Sequence, residues 1–131
     1  MDWKHEAMEE LRHLESLRLA LNTIPERIQA LDELARITTG DEAINARFER
    51  ERLTLKLDAT QRLVAGIERG LRALDPDERC ALEKFYIKRT PGAAQALCEV
   101  FIVEQAQVYR IKDRALKKFT RGMFGWEDVL C

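Results

Sequence analysis

The sequence predicts an all-α protein: an N-terminal antiparallel helical hairpin with coiled-coil character, followed by three short helices. Three observations carry that reading. Ala, Leu, Glu, Arg and Lys dominate a chain of 131 residues that holds only six Gly and three Pro, and straight-chain residues lose little rotamer freedom in a helix. Apolar residues recur through the first half at alternating spacings of three and four, which places them on one stripe of a helix. Two proline-based helix starts then punctuate the second half, Asp75-Pro76-Asp77-Glu78 and Thr90-Pro91-Gly92.

In the first arm, over residues 2–38, Leu14, Leu21, Ile28 and Ala35 fall seven apart, with Leu17, Ile24 and Leu31 between them. Pro25 interrupts the arm. A proline inside a helix removes one backbone bond and crowds the preceding turn, so a kink or break is expected near Asn22–Ile24, with Pro25 placed to open a second helix. Thr38-Thr39-Gly40-Asp41-Glu42 reads as the turn, Thr39 and Glu42 having capping-box spacing. The second arm is predicted from about Glu42 to Leu74, on the stripe Leu53, Leu57, Thr60, Val64, Ile67, Leu71 and Leu74, with Ile44 and Phe48 out of phase. Each arm would reach on the order of 50 Å at the α-helical rise. An arm of that length does not close a core by itself, which points to self-association through residues 1–74.

Asp75 is placed to cap the next helix, Pro76 to occupy its first position and Glu78 to reach back to the cap. This helix is expected to run to about Lys88 and to bury Leu82, Phe85 and Ile87. Thr90 and Pro91 repeat the signal for a short helix to about Val100, with Ala94, Leu97 and Cys98 inward. A turn at Phe101–Val103 leads into a last helix, 104–119, and residues 123–131 read as a tail, with Gly122 and Gly125 as stops. The expected division is thus 1–74, 75–122 and 123–131.

Composition narrows the function classes. No apolar run approaches the roughly 20 residues of a membrane span, and the charged start Met1-Asp2-Trp3-Lys4-His5-Glu6 lacks the apolar stretch of a secretion signal. Cys80, Cys98 and Cys131 form no Cys-x-x-Cys pair and suit a reduced cytoplasm. Charge is unevenly spread: residues 1–75 hold 12 basic and 15 acidic side chains, residues 76–131 hold 10 and 8. From Glu104 to Arg121 six basic residues face only Glu104 and Asp113.

Three short helices ending in a basic one match the tri-helical plan of a DNA-reading helix-turn-helix. At about 100° per residue, Val108, Ile111, Ala115 and Phe119 share the inward sector of the last helix. Arg110 and Lys117 point away from it, with Ala106 and Asp113 between them. Gln107 and Arg114 line one flank, Gln105 and Tyr109 the other. An Arg in the major groove can bond both acceptors of guanine, and Gln can pair with adenine. Arg110, Gln105 and Gln107 are therefore the candidates for reading bases. Lys112, Lys117, Lys118 and Arg121 are the candidates for holding phosphates, and Arg114 is a DNA-contacting candidate on its flank. Tyr109 is placed either to stack on a sugar or base or to cover the core. Thr90, Gly92 and the free amides of the short helix offer a further phosphate contact. Asp113 opposes DNA phosphates unless Lys117, one turn on, pairs with it.

The stretch Leu74-Asp75-Pro76-Asp77-Glu78-Arg79, with Phe85-Tyr86, Ala96-Leu97-Cys98-Glu99, Val108-Tyr109-Arg110 and Arg114-Ala115-Leu116-Lys117-Lys118-Phe119, resembles the C-terminal promoter-reading domain (region 4) of sigma factors. With a hairpin ahead of it, the chain is similar to small phage and prophage regulators of the ArpU/RinA type. The resemblance implies transcription control of phage or prophage genes in a bacterial host, with double-stranded DNA as partner and RNA polymerase as a second; the cysteines suit its cytoplasm, and the long hairpin arms point to a homo-oligomer through the N-terminal helices. It departs from the family where Ile102 replaces the usual turn Gly, Glu104 a Ser or Thr cap, and Gln105 and Ala106 the usual base-reading residues.

Two rival readings share these features: a small DNA-packaging (terminase) subunit, and an adaptor that docks on polymerase without touching DNA. No cofactor, metal or enzymatic role is expected. His5 and His13, with Glu6 and Glu9, read as exposed side chains rather than ligands, and Cys80 and Cys98 as small core hydrophobes. Trp3 and Trp126 read as anchors near the two ends.

Overall fold

The computed structural model describes residues 2–125, which are helical almost throughout. The elements are α1 (Trp3–Ile37), α2 (Asp41–Arg72), α3 (Pro76–Leu82), a π-helical turn (Glu83–Ile87) that continues α3, α4 (Ala93–Phe101) and α5 (Gln105–Phe124). The fold is all-α, as the periodicity implies. Two compact units divide it, one formed by residues 16–64 and the other by residues 2–15 with 65–125. The division therefore falls inside both long helices, at Glu15 and Val64, rather than at Leu74.

Residues 16–64 form the hairpin. Ile24 and Leu31 of α1 meet Ala46 and Leu53 of α2, flanked by Ile28, Leu34, Ala35 and Leu57. These are the stripes that the three-four spacing picks out. Arg50 Nε donates to Asp32 Oδ1 across the hairpin at 2.7 Å. The expected break at Pro25 does not occur, since α1 continues unbroken to Ile37 with Pro25 inside it. Pro25 is exposed, so its ring does not disturb the buried stripe that packs the hairpin. At the turn, Thr38 Oγ1 donates to the Leu34 carbonyl at 2.7 Å. The left-handed Gly40 (φ 69°) then lets α2 start, its carbonyl accepting the Ile44 amide at 3.1 Å. Ile44 and Phe48 stay exposed, and so does Leu55.

In the second unit Ala7, Leu11 and Leu14 of α1, Ile67 and Leu71 of α2, Leu82 and most of the inner face of α5 are buried. A second cluster joins Ala81, Leu97, Val108 and Ile111, with Phe85, Phe101, Cys80 and Cys98 packed against it. The α3 cap forms as expected, Glu78 Oε1 accepting the Asp75 amide at 2.9 Å. The following π-turn shifts the phase of the chain by one residue. Tyr86 is consequently buried, while Phe85 and Ile87, expected inward, are half-buried.

α4 begins at Ala93 rather than at Pro91. Thr90 Oγ1 bonds back to the Lys88 carbonyl at 3.1 Å, so it finishes the preceding helix instead of capping the next. Gly92, left-handed at φ 69°, takes the cap position. α5 extends five residues beyond the expected 119, because Gly122 does not stop it. Gly122 lies where an added Cβ would come 3.0 Å from Gly70 Cα, and at Gly70 an added Cβ would meet the Phe119 ring at 2.7 Å and its carbonyl oxygen at 2.8 Å. Close approach of α2 and α5, rather than chain flexibility, explains both glycines. The helix ends at Gly125 (φ 73°). Trp126 and Cys131 lie outside the described residues.

Candidate nucleic-acid interface

α3, α4 and α5 pack around Leu97, Val108 and Ile111, and this packing decides which side of α5 is free. Val108, Ile111, Ala115 and Phe119 are buried, as the 100° count predicts. Leu116, Thr120 and Met123 are buried too. A second face of α5, in its later turns, is therefore covered. Arg69 at the end of α2 contributes to this, its Nε donating to the Gly122 carbonyl at 3.0 Å and its Nη2 to the Met123 carbonyl at 2.8 Å. The exposed surface of α5 is broad only over its first two turns, where Gln105, Ala106, Tyr109 and Arg110 all face solvent.

Arg110 is exposed and its Nη1 donates to Gln107 Oε1 at 3.0 Å, which aligns the pair along the helix. Lys117 is half-buried and Arg121 exposed. Asp113 pairs with Lys4 of α1 at 3.6 Å and not with Lys117. Arg114 and Lys118 turn toward α3. Arg114 Nε donates to Glu78 Oε2 at 2.8 Å, and Lys118 Nζ to Glu78 Oε1 at 3.0 Å. Lys118 also lies 3.6 Å from Asp75. Glu78 is fully buried. Burial alone would push its carboxyl up, but the Asp75 amide, Arg114 and Lys118 together outweigh burial and hold it below the usual carboxylate range. The same bonds raise Lys118, so both partners stay charged.

Beside the first turns of α5 an aromatic and basic wall has formed. The Phe85 and Tyr109 rings stand 5.9 Å apart, and Lys112 Nζ lies 5.3 Å and 4.9 Å from their respective centroids. Next to it is an open concavity of about 370 Å³ between the π-turn, the start of α4 and Tyr109, with Thr90 and Gly92 on its rim. Lys84 and Arg89 line it as well, two cations the sequence reading passed over. Their signal lay in the basic run Lys84, Lys88 and Arg89.

The turn between α4 and α5 centres on Ile102, left-handed at φ 55° and ψ 52° and 88% exposed. It occupies the position where the resemblance expects Gly. Glu104 precedes α5 with no side-chain bond to the helix start. His13 Nε2 lies 4.0 Å from Glu9. Among the described residues no group of three metal-ligating side chains forms, and no helix is long and apolar enough to cross a membrane.

Comparison with protein-family models, with curated proteins and with solved structures finds no match to the chain.

Proposed function

We propose that the chain is a sequence-specific double-stranded DNA-binding regulator whose α5 enters the major groove by its first two turns. One observation carries this reading: the exposed face of α5 is broad only there, and it presents Gln105, Tyr109 and Arg110 on a helix packed against α3 and α4. Arg110 and Gln105 supply the donors that distinguish base edges, while Lys112, Lys117 and Arg121 supply phosphate contacts farther along. Arg114 and Lys118 belong to the packing of α5 on α3, since their near donors are taken by Glu78. The sigma-like pattern of the sequence extends the reading to transcription control of phage or prophage genes. The exposed stripe Ile44, Phe48 and Leu55 on α2 supports self-association through the hairpin, which light scattering measures.

The test is fluorescence anisotropy on duplexes selected from random sequence, over a range of salt. Arg110→Ala is expected to lose about 1–3 kcal/mol of discrimination at one base position. Lys117→Ala should weaken all sequences alike and lower the salt slope by about 0.9. Absence of salt-dependent binding to any duplex overturns the reading and leaves the polymerase-docking adaptor, which a pull-down with polymerase then checks. A ring of about eight or more subunits by light scattering turns it toward DNA packaging instead.

A further inference from the structure

The concavity beside α5 carries an unbalanced charge. Lys84 and Arg89 line it from one side and Tyr109 from the other, with Thr90 on the rim, and no carboxylate is among its lining residues. Lys88, nearby, lies 3.9 Å from Glu83, whereas Lys84 and Arg89 form no ion pair among the described residues. Lys112 adds a third cation over the Phe85 and Tyr109 rings. Like charges gathered without a counter-charge are unfavourable unless water screens them or an anion joins them. The π-turn is what assembles the group: its extra residue buries Tyr86, leaving Lys84 and Phe85 to line the concavity.

We infer that Lys84 and Arg89 form a phosphate site beside the first turns of α5, with the Tyr109 hydroxyl as a further donor. The ligand class is a phosphate oxyanion, taken either from a DNA backbone or as free phosphate. Arg89 supplies a planar fork suited to two phosphate oxygens, and Lys84 a point charge. With a DNA backbone as the source, the inference rests on the proposed function, since the concavity adjoins the turns of α5 assigned to the groove. With free phosphate as the source, it stands independently.

The experiment uses the full chain and the variant Lys84→Ala/Arg89→Ala, with Arg47→Ala on the other compact unit as a control for loss of a cation elsewhere. Circular dichroism confirms that the variants fold, as expected for side chains outside the core. Duplex binding is read by anisotropy across salt, and inorganic phosphate is titrated while the amide resonances of residues 84–94 are followed. The expected result is a uniform loss of at least about tenfold in duplex affinity and a salt slope lower by about 0.9 for the double variant, one phosphate at about 0.9. Arg47→Ala should leave both unchanged. If the wild type binds duplex and the double variant matches it, or if Arg47→Ala is equally impaired, the site is overturned while the proposed function stands. If no duplex binds but phosphate shifts these amides in the wild type and not in the double variant, the site holds for free phosphate and the proposed function fails. If neither probe binds, both are overturned.

Discussion

Glu78 shows how one side chain can serve two elements. It accepts the Asp75 amide at the start of α3 and receives Arg114 and Lys118 from α5. Its folded-state value is depressed, so its contribution to stability is full above the ordinary carboxylate range and is lost as pH falls through the depressed value. Glu78→Gln should cost roughly 1–2 kcal/mol near neutral pH, a figure kept modest because Arg114 and Lys118 can turn to water. Urea unfolding at a series of pH values checks it: the variant should lose the part of the acid dependence that Glu78 supplies. Ile102 is the opposite case, a β-branched residue in the left-handed region, with an exposed side chain that gains little from packing. Ile102→Gly should stabilise the protein by about 1 kcal/mol, the relief of strain exceeding the added freedom of the unfolded chain. Thermal unfolding reads that difference directly. The sequence pattern pointed to both residues, Glu78 as a capping-box member and Ile102 as a departure from the usual turn Gly. What lay hidden was the reach of Glu78 to residues 36 and 40 positions later, which no local pattern encodes.

At the scale of elements, the period of the apolar residues was the readable part. The stripes of α1 and α2 and the inner face of α5 needed only three-four spacing, and they pack as that spacing requires. Helix ends were harder, because Thr90 bonds backward to Lys88, and Gly122 lies inside α5 for want of room rather than as a stop. The α2–α5 crossing depends on that lack of room. Gly70→Ala would place a methyl group within 2.7–2.8 Å of the Phe119 ring and backbone oxygen. A backbone atom cannot rotate away as a flexible side chain does, so the variant should lose about 2–3 kcal/mol by overpacking. Chemical denaturation should show a lower midpoint with an unchanged slope. An unaltered midpoint would mean that α2 and α5 do not approach this closely. The π-turn had no sequence signature, because Glu-Lys-Phe-Tyr-Ile suits an ordinary helix; only its i to i+5 bond, Lys88 to Glu83 at 2.8 Å, reveals it.

Across the whole molecule, the boundary placed at Leu74 from helix caps differs from the compact units, which part at Glu15 and Val64. Caps mark where helices start, whereas units are defined by packing between distant segments, so the first does not predict the second. A fragment beginning at Asp75 lacks Arg69, Gly70 and the other α2 residues that adjoin Phe119, Gly122 and Met123. It should therefore show helix content and thermal cooperativity well below those of the same residues in the full chain, by circular dichroism and calorimetry. A cooperative, stable fragment would show that α3, α4 and α5 suffice by themselves. The DNA reading depends on this point, since the free face of α5 is set partly by what covers its later turns.

The division of α1 between the two units also fixes an order of events during synthesis. Residues 16–64 hold the partners of their own core, so the hairpin can close while the ribosome is still translating the rest. Ala7, Leu11 and Leu14 leave the exit tunnel earlier than any of the hairpin, yet the remainder of their unit starts only at residue 65. Residues 7–14, made before the hairpin, thus find their place only after it.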